Sequence, residues 1–217
     1  MARAATSEPR DGQPRRPASR RGPSKGDLRE AAILDAVSRL LEHKSFSDIS
    51  VEEIAAGAGI SRSSFYFYFP SKDALLHALD ERLGREALER HEGDLPLPEA
   101  IRRSIVYSVR AWQEQGPVFR AIVSSMGSDQ ELAELWDGHV NEMVARAAER
   151  IRRERRDGRA RPGPPSAHAL ASALTTLNEQ VLLSHAAGRP FAIDEAELVR
   201  TLTTIWLRAI YGADEPG

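Results

Sequence analysis

Between Ser50 and Leu76 the chain reads SVEEIAAGAGISRSSFYFYFPSKDALL, and few folds accept that stretch. Ser50 and Glu53 have the spacing of a capping box, in which each side chain takes up a free N–H of the other. Gly57-Ala58-Gly59 ends the helix they open. Ser61 caps a second, shorter helix, and Pro70 stops it before Ser71 caps the next. Two short capped helices joined by a glycine-containing turn of about three residues are the sequence form of a helix-turn-helix. Gly59 falls where that turn needs a positive φ, which a side chain would resist. Ile54, Ala55 and Ile60 supply an apolar wedge, and the small Ala55 and Ala58 allow close crossing.

The second of these helices has two faces. Phe65 and Phe69 are four apart and are expected to point into a core with Ile33, Val37 and Ile54. Arg62 and Tyr66 are also four apart, on a different face, flanked by Ser63 and Ser64 near the helix start. Short polar side chains let a helix sit deep in a major groove about 12 Å wide. There Arg can pair bidentately with guanine, and Tyr and Ser hydroxyls can bond phosphate. Tyr68 and Lys72 are read at the start of the following helix, whose N-terminus favours an anion. The run FYFYF is too long to be core alone, because five consecutive aromatics point all round a helix.

Outside this stretch the pattern is all-α, with about nine helices expected. Asp27 and Glu30 read as the N-cap pair of a first helix extending to about His43, with Ile33, Val37 and Leu40 at helical spacing. The fourth helix is expected from about Lys72 to His91, then a break at Leu95-Pro96-Leu97-Pro98. A further break is expected at Gly116-Pro117, and a long helix from about Asp129 to Asp157. Residues 158–165 (GRARPGPP) read as a mobile loop. The last two helices are expected at about 166–187 and 194–211. Their apolar stripes, Leu170, Leu174, Leu177, Val181 and Leu198, Leu202, Ile205, Trp206, Ala209, suit both a core and a symmetric partner.

Charge is unevenly spread. The first 25 residues hold seven basic and two acidic side chains in a chain of net charge −2, so the remainder carries −7. That segment is rich in Pro, Arg, Ser and Gly and is expected to be a disordered basic tail. It reads either as an arm for a polyanion or as passive disorder, since Lys25, Lys44 and Lys72 are the chain's three lysines and Arg is favoured throughout. The expected organisation is a tail at 1–25, a helix-turn-helix domain at 26–72 and a ligand-binding and dimerisation domain at 73–217. No apolar run approaches the ~18 residues of a membrane span, so no membrane is expected as partner. The chain has no Cys, which excludes disulfides and thiolate zinc sites and leaves the cytosol as the expected compartment.

At GISRSSFYFYFPSKDALL the sequence resembles the TetR family of bacterial regulators, and within it the mycobacterial ethionamide-resistance branch. The resemblance is dense over about 28–80. It continues through Glu134-Leu135-Trp136, Thr176-Leu177-Asn178-Glu179 and Ile205-Trp206 to Tyr211-Gly212. It implies a nine-helix homodimer whose last two helices form a four-helix bundle between subunits. It implies that Ser50, Arg62, Ser63, Ser64, Tyr66, Tyr68 and Lys72, with the cap residue Ser61, face double-stranded operator DNA. That branch has Pro and Thr where this chain has Ser63 and Ser64, which leaves base preference open. The resemblance further implies a tunnel for a small lipophilic ligand, with Trp112, Phe119, Met126, Trp136, Met143, Asn178, Leu182 and Trp206 as candidates. An Asn among Leu174, Leu177 and Val181 needs a partner when buried and could orient a ligand carbonyl; it could equally be an interhelical or dimer-interface Asn.

An enzyme is not expected. None of the six His has the spacing of a di-iron or zincin helix, and no phosphate loop or nucleophile elbow is present. Asp73 and His77 read as a surface pair. No cofactor and no metal is expected. The function expected is a repressor on a palindromic operator, released by its ligand. The alternative is a DNA-binding regulator without a small ligand, controlled by a partner protein or by concentration.

Overall fold

The computed structural model describes residues 24–89 and 95–212. Almost all of the expected tail therefore lies outside the described residues. Among those described, the secondary structure is helical with no strand: α1 (Lys25–Leu41), α2 (Val51–Gly57), α3 (Arg62–Tyr68), α4 (Ala74–Glu89), α5 (Leu97–Ser125), α6 (Gln130–Arg156), α7 (Ala167–Ala186) and α8 (Glu195–Tyr211). A single 3-10 turn, Phe46–Asp48, leads into α2.

Eight helices stand where about nine were expected, because α5 runs unbroken through Gly116-Pro117. A proline inside a helix forfeits one hydrogen bond and crowds the preceding turn, at about 3 kcal/mol. Packing overrides this here. Gly116 leaves room for the end of α7, where Arg120 donates to the Ala186 carbonyl at 2.9 Å. Val118, Phe119 and Ile122 then carry the buried face onward. A second difference lies at the start of α1. Ser24, not Asp27, is the N-cap, and Asp27 supplies the reciprocal carboxylate one turn in. Serine at N-cap with an acid at N3 satisfies two free N–H groups, so the whole cap moves three residues toward the N-terminus.

Most other boundaries follow the sequence signals. Ser50 and Glu53 form their capping box, Ser61 caps α3, and the Ser71 hydroxyl accepts from the Ala74 N–H. Gly59 has φ 65° at the turn and Gly212 φ 81° at the end of α8. The 158–165 segment is a loop but not a free one. Arg159 is bonded to Glu154, Arg155 donates to the Pro165 carbonyl, and the Arg161 N–H donates to Ile210. Glu154, buried near the end of α6, also accepts from the Tyr211 hydroxyl at 3.0 Å, which ties the far end of α8 to the same point.

One apolar core runs from Ile33 on α1 to Tyr211 on α8. Within it α1, α2 and α3 pack together, α4 touches α1, α5 and α6, and α6 lies along α7. The α4–α6 seam is unusually close. The His139 ring on α6 lies over Gly84 on α4, where an added Cβ would stand 2.5 Å from it. Gly138, the preceding residue, has open space instead. Two Gly→Ala substitutions should therefore act with opposite sign in thermal denaturation. Gly84→Ala should destabilise by about 1–3 kcal/mol through overpacking. Gly138→Ala should stabilise by about 0.5–1 kcal/mol through helix propensity alone. Equal effects would mean that the His139–Gly84 seat is not formed.

Candidate DNA-reading head and sensing core

The turn between α2 and α3 is fixed from below. Phe65 and Phe69 are buried with Ile33, Val37 and Ile54, and their rings lie 6.0 Å apart. Burying one such ring contributes about 1.5–3 kcal/mol. That sets the rotation of α3 and turns its other face outward. Arg62 is 62% exposed, Tyr66 45% and Phe67 84%. Ser61, Ser63 and Ser64 form a small hydroxyl cluster at the N-terminus of α3, with Oγ–Oγ distances of 2.9 and 2.8 Å from Ser61. Tyr68, half-buried, is the last residue of α3 rather than part of α4, and its ring meets Phe67 edge-on. Five aromatics in a row are thus divided: Phe65 and Phe69 inside, Tyr68 half-buried against the core, and Tyr66 and Phe67 outside.

Arg62 is poised rather than free. Its guanidinium pairs with Glu52 of α2 at 2.7 Å and lies over the Tyr66 ring at 5.8 Å. Contact with Tyr66 and the Glu52 charge both favour its protonated form. Such an exposed pair is worth little in water, so a nucleic-acid group can replace Glu52 cheaply. The start of α2 is held more firmly. A hydrogen bond from Lys44, aided by the N–H and hydroxyl of Ser50, holds the Glu53 carboxylate down at about 2. The carboxylate is therefore ionised, and the cap intact, throughout the ordinary pH range.

Lys72 is placed differently from what its sequence position suggests. Its ammonium donates to the carbonyls of Phe46 at 2.7 Å, Ile49 at 3.1 Å and Ser47 at 3.3 Å, and lies over the Phe46 ring at 4.7 Å. All three of its donors have acceptors. The side chain clamps the turn that leads into Ser50. The residue that sequence reading missed on this face is Phe67. Its signal was present: it is the FYFYF position left over once the core pair and the two tyrosines are assigned.

The sensing candidates fall into one cluster and some satellites. Trp112 stacks on Phe119 with centroids 4.5 Å apart, and Phe119 meets Trp136 edge-on at 6.2 Å. On α7, Asn178 accepts from the Trp206 indole at 3.1 Å, and its neighbour Glu179 accepts from the Trp136 indole at 3.0 Å. Asn178 is therefore a partnered interhelical Asn in this structure. Leu182 is buried in the same core and Met126 packs at its edge. Met143 is 37% exposed and stands apart. Glu179 was not among the expected site residues, and its Trp136 partner lies 43 residues away in the chain.

Between head and core lies a polar seam. His77 of α4 bonds Asp129 at 2.7 Å, and Asp80 lies 3.0 Å from His139. His77 is thus not the surface partner of Asp73, because its stripe on α4 faces α6. Asp80 is 2% exposed, and burial pushes its carboxyl up while His139 pulls it back down. Among the described residues, no group of His, Cys, Asp and Glu could hold a metal ion.

A short helix with a polar outer face, seated by a glycine turn on a three-helix head and joined through α4 to a larger helical core, defines a helix-turn-helix transcriptional regulator. Residues 33–79 match the tetR family of bacterial regulatory proteins, and residues 101–212 match the C-terminal domain of the transcriptional regulator EthR. The chain belongs to the TetR family and carries an EthR-type C-terminal domain. It is 40% identical over 207 residues to the HTH-type transcriptional regulator EthR of Mycolicibacterium smegmatis, covering 92% of this chain and 94% of that one. Among solved structures it resembles the SmeT–triclosan complex, with TM-score 0.71 and 22% identity, covering 88% of this chain and 96% of that one. It also resembles a transcriptional regulator from Saccharomonospora viridis in complex with choline, with TM-score 0.69 and 18% identity, covering 83% and 96%.

The Lys72 clamp can be tested without DNA. Lys72→Met should leave part-buried carbonyls short of a donor and lower the stability of the free protein by about 1–3 kcal/mol. Arg62→Ala should change it by less than about 0.5 kcal/mol. Chemical denaturation of both variants distinguishes the roles; an unchanged Lys72→Met midpoint would return Lys72 to the set of free phosphate contacts.

Proposed function

We propose that this regulator is a cytoplasmic homodimeric repressor that binds a palindromic operator through α3 and leaves it when a small lipophilic ligand enters the helical core. The reading rests on one observation above the others: with Phe65 and Phe69 buried, α3 exposes Arg62, Ser63, Tyr66 and Phe67 together. Arg62 reads guanine in the major groove. Phe67 offers an apolar contact to a thymine methyl. Ser50, Ser61, Ser63, Ser64, Tyr66 and Tyr68 hold phosphate and sugar and set the register. Lys72 contributes by positioning Ser50, and the basic tail adds a salt-sensitive grip. Residues 26–72 act as the head and 73–217 as the sensing and dimerising part.

The core candidates are Trp112, Phe119, Trp136, Asn178, Leu182 and Trp206, with Met126 and Met143 at the margin. Two solved structures of this fold carry small molecules, triclosan and choline. A ligand that separates the core helices shifts α6, and through the His77–Asp129 and Asp80–His139 pairs it shifts α4. Two heads must fit major grooves ~34–36 Å apart. A coupling of ~1–3 kcal/mol then weakens operator binding ~5–150-fold. The close Trp112–Phe119 stack favours a second reading, in which the core is filled and a protein partner or concentration sets occupancy. Thermal shift against lipophilic compounds separates the two, since uniformly flat curves speak for the filled core.

The DNA reading is tested by fluorescence anisotropy on a palindromic operator and on random duplex. Arg62→Ala should cost about 1–3 kcal/mol on cognate DNA and much less on random sequence. Equal losses on both would remove Arg62 from base reading.

A further inference from the structure

We infer that Glu52 is a specificity-determining residue: by pairing with Arg62 it withholds that side chain from DNA phosphates and keeps it for base edges. This deepens the DNA-reading proposal above and rests on it. The first turn of α2 carries two acids, Glu52 and Glu53, and they serve different ends. Glu53 closes the capping box with Ser50 and takes the Lys44 ammonium. The cap is complete without Glu52. Glu52 reaches across the turn to α3 instead, where its Oε1 lies 2.7 Å from Arg62 Nη1. Both side chains are exposed, so a carboxylate stands on the face proposed to meet a polyanion. A surface built only to grip phosphate has no use for a negative charge there.

Two kinds of DNA group compete for an arginine. A phosphate is charged and recurs at every step of the duplex, and the gain on it comes from neutralising charge and releasing counterions. Guanine offers the neutral acceptors O6 and N7, and the gain on it comes from two directed hydrogen bonds. Glu52 treats the two unequally. The ion pair carries no net charge, so laying it against the backbone releases no counterion. Stripping Arg62 from Glu52 costs little in water, but beside the backbone the abandoned carboxylate then faces phosphate oxygens. Base reading, by contrast, keeps the pair. The guanidinium has five N–H donors, and the contact with Glu52 engages its Nη1 end. Donors on Nε and Nη2 remain for a bidentate contact with guanine. The Tyr66 ring, 5.8 Å from the guanidinium carbon, borders the same group from α3. Arg62 is thus placed between a carboxylate on α2 and a ring on α3, as a directed donor more than as a charge.

The test uses the full-length protein, an operator selected by the wild type from a library of random duplexes, and a random duplex of the same length. Anisotropy is read across a salt series. Glu52→Gln keeps the shape of the side chain and removes its charge. It should bind random duplex about three- to fivefold tighter at low salt, with a salt slope steeper by about one. Operator binding should change by less than about twofold, so the preference for operator narrows. In an Arg62→Ala background the same substitution should leave random-duplex binding within about twofold, and circular dichroism melts establish that each variant folds. Unchanged random-duplex affinity and slope in Glu52→Gln would overturn the proposal. A gain as large in the Arg62→Ala background would overturn it too, since the carboxylate would then act on DNA by itself. Equal losses from Arg62→Ala on operator and random duplex would instead remove base reading, whatever Glu52 does.

Discussion

The burial of Phe65 and Phe69 beneath α3 is the constraint on which the rest depends. A seven-residue helix has too few hydrogen bonds to hold itself together in water. It exists because two phenylalanines are packed against α1 and α2, and that packing also fixes its rotation. Everything on the outer face then follows from 100° steps around a helix. Arg62, Tyr66 and Phe67 are exposed because there is no further room inside. Phe67 shows this most plainly: with Phe65 and Phe69 filling the space beneath α3, it stands 84% exposed beside Arg62 and Tyr66.

The head is fixed by polar contacts at its turns, and the seam that joins it to the core is polar as well. Three carbonyls held by Lys72, the Ser50–Glu53 box and the Ser61 cap all lock the entrances to α2 and α3. By contrast, the α4–α6 seam is built from two His–carboxylate pairs and a glycine notch. The His77–Asp129 hydrogen bond depends steeply on distance and angle, and Asp80 and His139 meet as a buried ion pair at 3.0 Å. An apolar seam would slide with little penalty; this one has a preferred register, and a displaced register loses both pairs together. Asp80 is buried and faces both His139 and His77, so separating the two helices removes the groups that offset its burial.

Local signals were legible and long-range ones were not. Caps, turns and the Phe65–Phe69 face could be read because they depend on residues three or four apart. The Gly116-Pro117 break was expected from the same local logic and did not occur, because α7 packs against Gly116 and stabilises the continuous helix. The position of Lys72 carried a phosphate reading, yet the three acceptors it reaches lie 23 to 26 residues earlier in the chain. His77 was assigned to a neighbour four residues away and is bonded to Asp129, 52 residues on. No periodicity encodes such a partner. Glu179 escaped for the same reason: its Trp136 donor is 43 residues distant.

The adjacent pair Asn178-Glu179 gives this core a polarity that packing alone would not require. Each residue holds a tryptophan from a different helix, Trp206 on α8 and Trp136 on α6. Leucines at both positions would bury more apolar surface and leave no carboxylate beside the core. They would also fix the indoles by packing alone, with no bond that a ligand could exchange for its own. Two hydrogen bonds of about 1 kcal/mol each hold the indoles well enough for a defined resting state and weakly enough to be replaced. The bonds run to both flanking helices, tying α7 to α8 on one side and to α6, which also bears the seam with α4, on the other. Under the proposed sensing role, the polarity that lowers the stability of this core is the property that would let its occupancy be felt at the reading head.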